Sequence, residues 1–159
     1  MDPSIKKQVL RSFTYGLYIV TVADGEDVNA FTANWLTQCS FEPPMLALAI
    51  ENDARSLGMI RRARAFAVNV VPEDGRELAG RMGRSSQRDP HKLAEATYDR
   101  GPATGSPLLV ESVGWVECRL VSSTPSGDHT LVVGEVIEAG VGRDIRPLTL
   151  AEAGFRYSG

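Results

Sequence analysis

Two tight turns constrain this chain more than any other feature. Asp24-Gly25 separates residues 17–22 (LYIVTV) from residues 28–37. Pro125-Ser126-Gly127-Asp128 separates residues 113–123 from residues 129–141. Strand-forming runs on both sides of a short Gly-containing turn read as antiparallel hairpins. Two further strands stand apart from them. Residues 45–50 (MLALAI) are continuously apolar after Pro43-Pro44, and residues 66–71 read FAVNVV. Helical periodicity is confined to short stretches. Residues 3–13 place Ile5, Val9, Leu10 and Phe13 on one face. Asn52-Asp53 read as the cap of a second helix with Leu57 and Ile60 inward and Arg61, Arg62 and Arg64 near its C-terminal end. Residues 74–83 read as a third. Residues 83–105 are polar and turn-rich and read as a long loop. Six strands and two or three short helices predict a mainly β protein, a closed or partly closed antiparallel barrel decorated by helices. Strands do not alternate with long helices, which argues against a doubly wound sheet.

Composition narrows the function classes. The chain has 159 residues, 43% hydrophobic and 23% charged, which suits a single domain over 1–159. A net charge of −3 supplies no basic field for nucleic acid. Cys39, Cys118, His91 and His129 are scattered at no metal-site spacing, so neither a disulfide scaffold nor a metal centre is expected. Residues 1–7 show no signal-peptide pattern, and the apolar run 45–50 is too short to span a bilayer. The expectation is a soluble, cytoplasmic protein with no membrane partner.

Familiar catalytic motifs are missing: there is no G-x-G-x-x-G after a strand, no P-loop and no G-x-S-x-G. Asp128-His129 are adjacent, and neighbours on a strand point to opposite faces, which disfavours a hydrolytic triad. Four stretches hold the interest. Residues 29–40 (NAFTANWLTQCS) are rich in small polar side chains, which suits either an edge strand or a platform for a planar polar ring. Residues 40–44 (SFEPP) form a rigid lead into the apolar strand. Residues 52–56 (NDARS) combine a helix start, a guanidinium and a hydroxyl, which suits either an ordinary cap or a terminal phosphate, with Arg81 and Arg84 as competing cations. Gly127-Asp128-His129 puts a histidine at a turn, either solvated or facing a substrate.

Taken in order, Tyr15-Gly16, Thr21, Asn29-Ala30, Thr32-Ala33-Asn34-Trp35, residues 40–44, Ser56, residues 66–70, Gly127-Asp128-His129, Gly134 and Val136 resemble the flavin reductase-like family of FMN-binding split barrels. The resemblance implies a six-stranded antiparallel Greek-key split barrel working as a homodimer. It implies NAD(P)H-dependent reduction of FMN or FAD, with NADH or NADPH as hydride donor. By the same resemblance Asn29, Ala30, Thr32, Asn34 and Trp35 run along the flavin, as do Ala49, Ile50 and Glu51. Arg55 and Ser56 meet its phosphate, Arg81 and Met82 are a further contacting pair, and His129 approaches the nicotinamide. Some members of the family release reduced flavin to a monooxygenase; others keep FMN bound and pass electrons to a redox-protein acceptor. Pro147-Leu148 keeps the start of the family's C-terminal segment, and residues 151–159 depart from it.

Overall fold

The computed structural model describes residues 1–157; Ser158 and Gly159, the end of the departing tail, lie outside the described residues. Among the described residues, nine strands and four helices follow one another as α1 (Pro3–Leu10), β1 (Tyr18–Asp24), β2 (Asp27–Ala33), β3 (Leu36–Phe41), β4 (Pro44–Glu51), α2 (Arg55–Ala63), β5 (Ala65–Val70), α3 (Arg76–Met82), β6 (Tyr98–Arg100), β7 (Pro107–Leu109), β8 (Gly114–Ser126), β9 (His129–Val141) and α4 (Leu150–Ala153). Seven strands form one sheet in the order β2-β1-β5-β8-β9-β4-β3, and every pairing in it is antiparallel. Its two edges, β2 and β3, are joined only by Asn34-Trp35. The three residue steps from Ala33 to Leu36 reach no more than about 11 Å, so the ends of the two edges must lie close together and the sheet must curl into a barrel.

The sheet has seven strands rather than six because the expected strand 28–37 is broken at Asn34-Trp35, where the chain leaves one edge for the other. The stretch 83–105 is not loop throughout. It ends in β6, which pairs with β7. Asn69 fixes that hairpin against the barrel: its Oδ1 accepts from Leu109 N at 2.8 Å, while Thr21 Oγ1 donates to the Pro107 carbonyl at 2.6 Å.

The continuous apolar reading of β1 reflects burial on both faces. Val20 and Val22 enter the barrel core with Leu48, Ile50, Phe66, Cys118, Leu120 and Val132, and α2 adds Leu57, Met59 and Ile60. Leu17 and Ile19 lie in a second core with Ala30, Leu78, Met82, Leu93, Leu109, Leu148 and Ala153. That second core seats α3 and the tail beside β1 and β2. Gly134 allows a close crossing in the barrel, since a Cβ there would lie 2.5 Å from Phe66 Cζ.

The expected cap of α2 is different. Ala54 holds the N-cap position and makes no side-chain cap bond. Asn52 is engaged elsewhere: its Nδ2 donates to the Gly127 carbonyl at 3.1 Å and its Oδ1 accepts from Thr130 Oγ1 at 2.8 Å. The tail is ordered by α4, where Thr149 and Glu152 form a reciprocal capping box. No helix among the described residues is long and apolar enough to cross a membrane, and no group of three or more His, Cys, Asp or Glu among them could hold a metal.

Candidate functional site

A cavity of about 560 Å³ opens where β2 ends and the barrel edges meet. Six pieces of chain wall it: the ends of β2 and β4, the start of α2, the α3 helix with the turn after it, Lys92, and the tail through Phe155 and Tyr157. Of the residues expected at a ligand, Thr32, Asn34, Trp35, Ala49, Ile50, Glu51, Arg55 and Ser56 line this cavity. They come from three separate stretches of sequence, and the fold brings them together.

The remaining expected residues sit elsewhere. Asn29 is buried one layer back, where its Nδ2 donates to Ser56 Oγ at 3.0 Å and its Oδ1 accepts from Ser86 Oγ at 3.1 Å. It thereby ties the start of α2 to the turn after α3, two facing walls. Ala30 and Met82 are fully buried in the second core. Arg81 pairs with Glu95 at 2.5 Å. His129 is also one layer back, with its ring centroid 4.8 Å from that of Trp35. Its Nδ1 meets Asp128 Oδ1 at 2.6 Å. Asp128 belongs to the turn and not to the strand, so the opposite-face rule does not separate this pair.

The cavity has two chemically different ends. At one, Arg55 and Ser56 open α2, whose first backbone N–H groups have no intrahelical acceptor and no side-chain cap. Ser56 is buried, and because its oxygen accepts from Asn29, its own hydroxyl hydrogen is free to donate. Arg84, Ser85, Ser86 and Lys92 face them. Lys92 was not legible as a site residue. It is buried, its Nζ donates to the Met82 and Arg84 carbonyls at 2.8 and 2.6 Å, and burial pushes its ammonium down to about 8. At the other end stand Trp35, Glu51 and Tyr157. The Trp35 indole Nε1 is buried without a partner. Between the ends the walls are small: Ala33, Ala49, Ala54, Gly80 and Gly83. Thr32 holds its place by donating to the Ala79 carbonyl at 2.5 Å.

The tail is anchored over this cavity. Arg76 donates from Nε to the Ala153 carbonyl at 2.7 Å and lies 5.2 Å from the Phe155 ring centroid. Asn34 Nδ2 donates to the Tyr157 carbonyl at 3.3 Å.

A family model described as "Flavin reductase like domain" matches residues 10–159. The chain is 32% identical over 148 residues to the reductase subunit HsaB of a flavin-dependent monooxygenase from Rhodococcus jostii, covering 93% of this chain and 74% of that one. It is 33% identical over 144 residues to an NADH-dependent FAD reductase from Streptomyces globisporus, covering 87% and 78%. Among solved structures, BorF, the flavin reductase component of a bacterial two-component tryptophan halogenase, superposes with a TM-score of 0.85 at 30% identity, covering 98% of this chain and 97% of that one. Some curated relatives are longer: the chain spans 57% of one and 42% of another.

Proposed function

The chain belongs to the flavin reductase like family, and we propose that the cavity takes a flavin mononucleotide, with FAD as the second candidate, and presents its ring to a nicotinamide dinucleotide. The activity is that of an NAD(P)H-dependent flavin reductase. The observation that carries the site assignment is the division of one cavity into a cationic end and an aromatic end. A cavity of about 560 Å³ is of the size that buries a cofactor. Its small-residue walls leave room for a flat ring to approach backbone. At Gly83 a Cβ would stand 3.3 Å from the Ala79 carbonyl and 3.6 Å from Thr32 Cβ, so even a methyl group is crowded there.

When bound, flavin supplies hydride acceptance and the hard chemistry with it. The chain's part is positioning and electrostatics. Arg55, the Ser56 hydroxyl and the first N–H groups of α2 hold the phosphate, with Arg84 and Lys92 on the facing wall. Thr32, Ala33, Asn34 and Ala49 flank the ring. Trp35, backed by His129, closes the end where a nicotinamide ring arrives, and His129 meets that ring once it is exposed. Asn29 holds the two phosphate-binding walls together. The names of the relatives favour delivery of reduced flavin to a monooxygenase-type acceptor.

The test is anaerobic. Addition of NADH or NADPH to protein plus FMN should abolish the oxidised-flavin absorption with stoichiometric nicotinamide oxidation. Flavin bound with no nicotinamide oxidation by either donor would make this a flavin-binding protein and not a reductase.

A second copy of the chain is the proposed partner. A groove of about 800 Å³ runs along Leu36, Met45, Val68, Val116, Val136 and Val141. Val141 in its lining is 95% exposed and Phe41 beside it 93%, so large apolar side chains stand in water along this face. Equilibrium sedimentation should give twice the monomer mass, and Phe41→Asp should shift it toward monomer. A fully active monomer in the wild type would reject this arrangement.

A further inference from the structure

Three hydrogen bonds run in series from the surface to the cavity wall. His129 Nδ1 meets Asp128 Oδ1 at 2.6 Å, His129 Nε2 meets the Tyr157 hydroxyl at 2.7 Å, and that hydroxyl meets Glu51 Oε1 at 2.7 Å. Each bond needs one proton between its two heavy atoms. An ionised Asp128 carboxylate can only accept in this bond, so completing it requires a hydrogen on Nδ1. The phenol has one hydrogen to give. If it goes to Glu51, Nε2 must also be protonated and the ring is an imidazolium. If it goes to Nε2, Glu51 must carry the hydrogen for the bond back to the phenol oxygen. Both arrangements hold one proton more than a neutral imidazole, a neutral phenol and two carboxylates. Without that proton one of the three bonds becomes a contact between lone pairs.

We propose that Tyr157 is a positioning residue that fastens the C-terminal segment over the aromatic end of the cavity with uptake of one proton, so that nicotinamide access to His129 and Trp35 is coupled to release of that proton. The inference rests on the reading of this cavity as a flavin and nicotinamide site. The Tyr157 ring lies 5.2 Å from that of Trp35 and 6.1 Å from that of His129, centroid to centroid, in edge-on contacts. A nicotinamide ring meeting His129 must displace it. Carboxylates surround the hydroxyl. Glu51 and Asp53 face the phenol from the end of β4 and the turn after it, and Asp128 faces it from the β8–β9 turn. Arg55, the cation nearest in sequence along the same cavity wall, is engaged by Asp27, and Arg61 of α2 by Ser123 and Thr130. Burial, with the Glu51 carboxylate beside it, holds the phenol above its usual range, so phenolate is not an alternative state at neutral pH.

The reporter is the Trp35 indole N–H resonance in flavin-free protein, followed from about pH 5 to about pH 9 and assigned by its loss in Trp35→Phe. In wild type it should follow a one-proton transition. Tyr157→Phe removes the shared hydroxyl and should leave the signal at its high-pH position throughout. Glu51→Gln acts in the opposite sense. Its amide N–H supplies the missing hydrogen permanently, completing all three bonds without an extra proton, so the signal should stay at its low-pH position. The kinetics should follow the same order. The apparent KM for NADH should fall by up to about tenfold per pH unit in wild type, because the open fraction rises as the proton leaves. It should be low and flat in Tyr157→Phe, and high and flat in Glu51→Gln. Superimposable Trp35 titrations in the three proteins would overturn the proposal even if FMN reduction is normal. The predicted titrations in a protein that neither binds nor reduces flavin would keep the proton count and sink the reductase reading instead.

Discussion

Arg55→Ala is expected to weaken FMN binding by about 1.5–3 kcal/mol, roughly 10- to 150-fold, and to leave riboflavin nearly unaffected. The reason is local charge. A phosphate monoester carries between about one and a half and two negative charges near neutral pH, and burying it without partners is very costly. The chain is acidic overall, so the compensating groups must be gathered at one point. Arg55 is held by Asp27 at 2.5 Å, but the two side chains are 43% and 52% exposed. A pair that open to water is worth under about 1 kcal/mol, so the guanidinium loses little by turning to a phosphate. Asp27→Asn should therefore tighten FMN slightly. Arg84 and Lys92 share the same end of the cavity, so losses in double variants will not add. Titration of FMN and riboflavin in parallel is the measurement. Equal losses for both would place the effect on the ring site or on the fold.

What could be read from the sequence divides along a physical line. The two hairpins, the start of β9 at His129 and the buried strand β4 were legible because turn chemistry and apolar runs act over a few residues. Features decided by distant partners were not. Asn52 has the right side chain for a cap, but Gly127 and Thr130, more than seventy positions away, take its hydrogen bonds. The strand 28–37 read as one polar run, and nothing local marked Asn34-Trp35 as the seam where the sheet closes. Arg81 and Arg84 are three positions apart, yet Arg81 pairs with Glu95 while Arg84, beyond the end of α3, lines the cavity. Lys92 stood in a turn-rich stretch with no periodicity to show that it is buried. Of the eight expected residues that line the cavity, Arg55 and Ser56 stood out in the sequence as a helix start with a guanidinium and a hydroxyl, while the other six came from family resemblance. The small polar character of residues 29–40 alone left an edge strand open.

Glu117 shows the same limit at its sharpest and carries the largest expected effect on stability. In sequence it alternates with Trp115 and Arg119 on one side of the strand, opposite Val116, Cys118 and Leu120, yet it is fully buried. A register shift at Glu117/Cys118 turns two successive side chains inward, Cys118 to the barrel core and Glu117 to the loop before β7. There the carboxylate accepts from Ala103 N at 3.1 Å, Thr104 N at 2.7 Å and Thr104 Oγ1 at 2.7 Å. A Cβ at Gly101 would collide with it, so the loop is built around this one side chain. Glu117→Ala removes the acceptor of all three bonds and leaves a void. Ala103 is exposed and Thr104 half-buried, so water can reach part of what is lost. The expected cost is about 3–5 kcal/mol, from about 1–1.5 kcal/mol per lost bond plus the cavity. Glu117→Gln keeps the shape but turns an NH2 group toward N–H donors, and should cost about half as much. The urea midpoint should fall at constant m-value. None of these residues lines the cavity between β2, β4 and α2, so the folded variant should bind FMN as wild type does. A loss below about 1 kcal/mol for Glu117→Ala would mean that water replaces the carboxylate and that the loop does not depend on it.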